Sequence, residues 1–330
     1  MPKTSKKLLE TPSAQAGAVP LADFAELSAL QAADKKFSSQ RLVSALKTRG
    51  GQNEEAYENP VGEAFQELAT RQLHSSTENE LYPFEVDGDL LKFKKAKADA
   101  DKDFLYLFLL IATRLNMRDN KLQGGLDGTD VFEWLSLEVA KRYWGASAAD
   151  KARGARVKGT VFGASRAKWR SVGDDNAEVG IGKFKKAVDD LCRAMREGGC
   201  FSPKDAKQKV TAKDDKLDIV VWKEFADIRP GKLIGFGQSK TGDHWNLELP
   251  RLNPDTFMKR WLREFSLVPP VRLFFLADRV VDDWKNRGYE AGIMFDRCRI
   301  LDYADEVPND VLSKCARWTR AVLKVNGLSW

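Results

Sequence analysis

Apolar positions along this chain recur with two periods, and the changes of period mark its elements. Residues 1–36 show neither period. Ala, Ser, Lys and Pro are scattered there without a stripe, which predicts a poorly ordered tail with short helices. Over Asn59–His74 (NPVGEAFQELATRQLH), Val61, Phe65 and Leu68 fall on one helical stripe, and Asn59-Pro60 marks its start. Leu81–Phe93 (LYPFEVDGDLLKF) reads as a hairpin turned at Asp87-Gly88. Asp101–Asn116 (DKDFLYLFLLIATRLN) is apolar on most sides, as a buried helix is. The glycine-rich stretch from Asn116 to Gly128 reads as a loop and a boundary.

Downstream the order changes. Thr129–Trp144 (TDVFEWLSLEVAKRYW) predicts a helix capped by Thr129 or Asp130. After a basic, glycine-containing connector, Ile181–Arg196 predicts an amphipathic helix ending at Gly198-Gly199. Leu217–Trp222 (LDIVVW) and Lys232–Lys240 (KLIGFGQSK) are short β runs separated by a turn containing Pro230-Gly231. A helix over Asn253–Glu264, a strand over Val271–Ala277, a helix over Val280–Gly288, a last strand over Gly292–Ile300 and a closing helix over Pro308–Lys324 complete the chain. This predicts an α/β (α+β) fold, a mixed sheet flanked by helices, in a unit spanning residues 121–330. A mainly helical N-terminal region with a small hairpin occupies 37–120, behind the tail of 1–36.

Composition narrows the class. With 43% apolar and 31% charged residues and a mean hydropathy of −0.44, the chain is expected to be soluble and to have a sizeable core. The longest apolar run, Phe104–Thr113, is too short to cross a bilayer, so no membrane partner is expected. The amino terminus has no apolar stretch of signal-peptide length, and nothing points to export. Cys192, Cys200, Cys298 and Cys315 are scattered without CxxC pairs, which argues against structural zinc and fits reduced thiols in a cytoplasm. Two histidines, His74 and His244, leave little room for a His-based triad. Net charge is +6, compatible with nucleic acid without requiring it. Its distribution says more: Lys151–Arg170 holds seven Lys or Arg, no acid, and Trp169. Lys158, Arg166, Lys168 and Arg170 there are candidates for phosphate contact, against a solvated basic loop as the plain alternative.

The two β runs carry the chemistry. Alternation sets Ile234, Phe236, Gln238 and Lys240 on one face of their strand, an apolar face with a polar tip. Asp218 heads the other strand on the face of Val220 and Trp222, where burying a carboxylate is costly unless it is paired or binds a metal. Antiparallel pairing then makes Asp218 a neighbour of Gln238 and Lys240. Each of the three alone is more simply an ordinary strand end; their conjunction and order shift the balance.

The string LDIVVW…KLIGFGQSK resembles the core of the PD-(D/E)xK nuclease superfamily, restriction-endonuclease-like enzymes. There an Asp opens one strand, and an acidic residue or Gln precedes a Lys by two on the next. VFEWLSLEVAKRYWG resembles the family's leading helix with its Glu, and VRLFFLADRV with the helix before it sits where the αβ extension belongs. The resemblance spans about Thr129 to Leu301. It implies that Asp218, the Gln238 side-chain oxygen, the Ser239 backbone carbonyl and Glu133 serve as ligands for Mg²⁺, with Mn²⁺ able to substitute. It implies further that Lys240 orients or activates the attacking water, with Glu133, Asp218, Gln238 and Lys240 forming the catalytic set. Gln in place of an acid weakens metal binding and leaves a second metal in doubt; Gln variants look typical of the modification-dependent restriction branch.

Two glutamates compete for the helix position. Glu133 interrupts the apolar stripe of Leu137, Ala140 and Trp144, whereas Glu138 has Lys141 and Arg142 placed for a surface ion pair, which favours Glu133. His244 lies near the site loop as a phosphate contact or an idle loop residue, and Trp245 as core. Lys259, Arg260 and Arg263 make one helix face basic. Asp296-Arg297 reads as an internal ion pair, with Arg297 and Arg299 on a face open to phosphate. The expected function is a metal-dependent DNA endonuclease of restriction or anti-phage defence, acting as a homodimer or with companion defence proteins. The rivals are a non-catalytic or partner-activated nucleic-acid-binding module, and a DNA repair nuclease.

Overall fold

The computed structural model describes residues 8–51, 53–74, 81–94, 101–162, 181–203, 215–242 and 244–328. Arg166, Lys168, Trp169 and Arg170 lie outside them.

The fold is mixed α+β, built on a five-stranded sheet. Its strands are β4 (Val157–Val161), β5 (Ile219–Lys223), β6 (Leu233–Lys240), β7 (Val271–Leu276) and β8 (Ile293–Phe295), following β1 (Lys36–Ser38), β2 (Phe84–Asp87) and β3 (Leu90–Phe93) of a small N-terminal sheet. The five lie side by side in the order β8-β7-β6-β5-β4. β4, β5 and β6 pair antiparallel, and β6, β7 and β8 run parallel. The parallel half is made by crossover helices α7 (Pro254–Trp261) and α8 (Trp284–Ala291). They follow α1 (Ala18–Gln31), α2 (Ser39–Gly50), α3 (Glu55–His74), α4 (Phe104–Arg114), α5 (Gly128–Tyr143) and α6 (Ile181–Met195), and α9 (Arg297–Asp302) and α10 (Asn309–Val325) close the chain.

Alternation divides the sheet into two apolar faces. Ile219, Val221, Leu273 and Phe275 pack with Leu135, Leu137 and Ala140 of α5 in the main core, which runs from Leu8 to Leu328 and crosses the boundary expected near residue 121. Val220, Trp222, Ile234 and Phe236 pack with Phe184, Val188, Phe257 and Trp261 of α6 and α7. Phe274, Leu276 and Met294 continue that second face beneath Trp245 and Leu249. Glycines set how closely α5 approaches: a Cβ on Gly159 would lie 2.6 Å from Leu137 Cδ1 and 2.8 Å from the Val220 carbonyl oxygen. The leucine can turn away but the strand carbonyl cannot. Gly159→Ala is therefore expected to lower stability by about 1–3 kcal/mol, the usual cost of overpacking, read as a fall in the urea midpoint.

Several expectations are corrected. The tail expected over 1–36 contains α1, nine of whose residues are buried, including Asp23 and Glu26. β4 was not anticipated; its run VKGTV lies inside the basic connector. The last strand stops at Phe295, because Asp296 caps α9: its Oδ1 accepts from Arg299 N at 3.1 Å. The cap of α5 is Asp127, which accepts from Thr129 N at 3.0 Å, and neither Thr129 nor Asp130. The helix expected over 280–288 is α8, four residues further on.

Arg297 is likewise not open to phosphate. It is fully buried and pairs with Asp23, at 2.8 and 3.1 Å, and with the Ala277 carbonyl at 3.0 Å. Asp296 instead takes Arg279 at 2.6 Å, and Arg299 lies over the Trp284 ring at 4.3 Å. Arg71 of α3 joins the same buried network, reaching Asp23 (2.7 Å), Glu26 (2.9 Å) and Glu67 (2.8 Å). Tyr82 and Tyr106 both donate to Glu26 Oε1, at 2.8 and 2.7 Å. These bonds tie the N-terminal helices to the carboxyl ends of β7 and β8.

Burial would raise the Asp23 carboxyl, but Arg297 and Arg71 outweigh it and hold it at about 2. A depressed carboxyl contributes stability above its unfolded value, and that stability is lost as pH falls through the folded one. Glu26, raised by burial, has the opposite sign and gains stability on protonation. The expected result is stability that holds or rises on mild acidification and then drops as pH falls from about 4 towards 2. Urea midpoints across that range read it, and Asp23→Asn should flatten the acid limb.

Candidate metal and nucleic-acid site

Of the predicted residues, Asp218, Gln238, Ser239 and Lys240 lie at one end of the β5–β6 hairpin. Ile219 pairs with Gly237, and Asp218 N donates to the same Gly237 carbonyl at 2.9 Å. Two successive residues thus address one partner, the mark of a β-bulge. Leu217 accordingly joins the cluster of Val220 and Trp222, so the strict alternation expected of Asp218 is broken. The bulge turns its carboxylate along the end of β5 towards β6, where Oδ2 accepts from Ser239 N at 2.7 Å. Ser239 presents its N–H and its C=O to that same side. Gly237 permits the close approach: a Cβ there would lie 2.5 Å from Ile219 Cγ1.

Gln238, opposite Phe274 on β7, is 0% exposed. Neither its amide nitrogen nor its amide oxygen has a hydrogen-bond partner among the described residues, and the Ser239 hydroxyl is in the same condition. Lys240 ends the strand half-buried, its Nζ 3.9 Å from Glu248. Glu248 follows on the short 3-10 turn Trp245–Glu248 and also meets Lys216 at 3.5 Å and Arg251 at 2.8 Å. Sequence reasoning missed Lys216 and Glu248. Both lie in connecting turns with no period to mark them, and only the fold brings them to Lys240.

Other candidates are set apart. Glu133 is half-buried on α5, over the Ile219 and Val221 face, opposite the side chains of Gln238 and Lys240. Glu138 makes the surface pair expected of it, with Lys141 at 2.9 Å. Lys158 sits opposite Trp222, away from the bulge, and bonds Glu224 at 2.8 Å. His244 is exposed. Trp245 is buried as expected, donating to Asp278 at 3.0 Å.

One carboxylate, a side-chain amide unpaired among the described residues and a backbone carbonyl at a strand edge are hard oxygen donors. Among the described residues no group of three or more His, Cys, Asp or Glu side chains gathers as a metal cage. Such a sparse, neutral-rich set suits Mg²⁺, which keeps several waters, better than zinc or a calcium cage. No helix among the described residues is long and apolar enough to cross a membrane. No protein-family model matches the chain, and no curated protein or solved structure matches it either.

Proposed function

We propose that this chain is a Mg²⁺-dependent DNA endonuclease of the PD-(D/E)xK type, with Mn²⁺ able to substitute. The observation that carries the reading is Gln238, an amide buried without a partner among the described residues, two residues before Lys240 and one before the residue that anchors Asp218. A buried polar group left unsatisfied costs about 1–3 kcal/mol, a cost that a bound ion with its waters would remove. The order of elements adds support: helix α5, the Asp218 strand, the QxK strand, helix α7 and strand β7 come in the order the resemblance implies, with β4 and α6 between α5 and the Asp218 strand.

Asp218, the Gln238 oxygen and the Ser239 carbonyl would hold the ion. When bound, it lowers the pKa of a coordinated water and offsets charge on the scissile phosphate. Lys240 places a cation against the phosphate and orients the attacking water. A role for Glu133 rests on the resemblance alone, since α5 lies over the other face of the sheet, and His244 enters as an exposed phosphate contact. The partner is duplex DNA, drawn by Lys216, Lys240 and Arg251, and cutting both strands calls for two copies or a companion protein. A cytoplasmic role in restriction or anti-phage defence rests on the resemblance; four cysteines without a disulfide among them accord with a reducing compartment.

Supercoiled plasmid from modified and unmodified hosts, incubated with the protein and Mg²⁺ or Mn²⁺, tests the reading. Nicking or linearisation that stops with EDTA and with Asp218→Asn supports it. Absence of cutting on both plasmids, with DNA still bound, would instead favour the non-catalytic binding module.

A further inference from the structure

Glu248 is the meeting point of three cations. Arg251 approaches its Oε1 at 2.8 Å, while Lys216 and Lys240 approach Oε2 at 3.5 and 3.9 Å. Oε2 is buried and accepts no hydrogen bond from the described residues, so its contacts with the two lysines are the longer, electrostatic ones of the cluster. Sharing one oxygen, the two ammonium groups lie within two ion-pair lengths of each other. Three cations on one carboxylate leave the cluster net positive, in a partly screened place where an entering anion is strongly attracted.

Lys216 arrives there by a strained route. Asp215 and Lys216 are consecutive non-glycine residues in the left-handed region, with φ +44° and +69°. Such backbone persists only where its surroundings over-determine it, and it gathers at binding and catalytic sites. The surroundings are evident: Asp215 accepts from Trp261 Nε1 at 2.6 Å and pairs with Arg260 at 3.6 Å, and Leu217 is fully buried just after the turn.

We propose that Lys216 and Lys240 form a two-lysine cradle for one backbone phosphate of duplex DNA, and that Glu248 holds the cradle in register until phosphate displaces it. The placement of that phosphate at the scissile bond rests on the nuclease reading; the cradle itself rests on the ion pairs and the strained turn. Glu248 is thus a positioning residue and Lys216 a substrate contact. Glu248 competes with phosphate for the same two ammonium groups, so removing its charge strengthens binding while loosening Lys240.

Fluorescence anisotropy of a labelled duplex, titrated with protein in EDTA over a range of KCl, reads the cradle without any cutting. Lys216→Gln should weaken binding about tenfold at low salt and lower the slope of log K against log[salt] by about one, and Lys216→Arg should restore both. Glu248→Gln should tighten binding about threefold to tenfold, while in Mg²⁺ it lowers kcat and KM together. Lys47→Gln, which removes an exposed lysine paired with Glu54, should change neither binding nor slope. A Lys216→Gln protein with wild-type affinity and slope would overturn the cradle, as would a folded Glu248→Gln protein that binds more weakly. Wild-type protein that binds with the Lys216-dependent slope yet never cuts would support the cradle and sink the nuclease reading instead.

Discussion

Lys240→Ala is expected to lower single-turnover cleavage of plasmid by about 10²–10³-fold, the usual cost of deleting one preorganised charge at a developing transition state. Lys240 ends a strand whose backbone is fixed by pairing to β5 and β7, which sets its Cα at the end of the strand that anchors Asp218 through Ser239 N. Its contact with Glu248, at 3.9 Å and partly exposed, contributes little to folding. Loss of cutting should therefore appear with an unfolding midpoint near that of the wild type. Cutting at the wild-type rate by Lys240→Ala would remove the lysine from the chemistry. A parallel collapse in stability would mean that its role is structural.

Arg297→Ala should have the largest effect on stability, about 3–5 kcal/mol, because it strands buried charge. The guanidinium is fully buried and serves Asp23, the Ala277 carbonyl and Thr113 Oγ1 at once, with Tyr106 against it at 5.6 Å. Removing it leaves Asp23 beside Glu26 with Arg71 as the cation that bonds both carboxylates. The double variant Arg297→Met, Asp23→Leu removes both charges with little change in volume and should recover much of the loss. Urea unfolding of the three proteins separates the outcomes. A single variant within about 1 kcal/mol of wild type would show that the network is dispensable.

The fate of these residues explains what the sequence made legible. The β5–β6 hairpin was readable because its apolar residues alternate and its polar residues sit at one end, where Asp218, Gln238 and Lys240 are found. α1 was hidden by the same network that secures it: Asp23 and Glu26 face the core, so the helix has no clean apolar stripe. Arg297 read as the internal partner of Asp296, with a face open to phosphate as the alternative, because its true partner Asp23 lies far away in the chain. Asp296 read as a strand residue, though its side chain caps a helix. β4 was hidden among basic residues, since Val157 and Val161 alone mark its apolar face. The bulge at Asp218 depends on which carbonyl its amide meets, and Glu248 and Lys216 depend on where two turns come to rest. Neither is encoded in a local period.

The most direct measurement is the anomalous difference density of crystals soaked in Mn²⁺. A peak within coordination distance of Asp218 and the Ser239 carbonyl, with the Gln238 amide oxygen turned towards it and the peak lost in Asp218→Asn, is the predicted result. Protein that cuts DNA with Mn²⁺ while its only manganese peak lies away from that end of the β5–β6 hairpin would contradict the account.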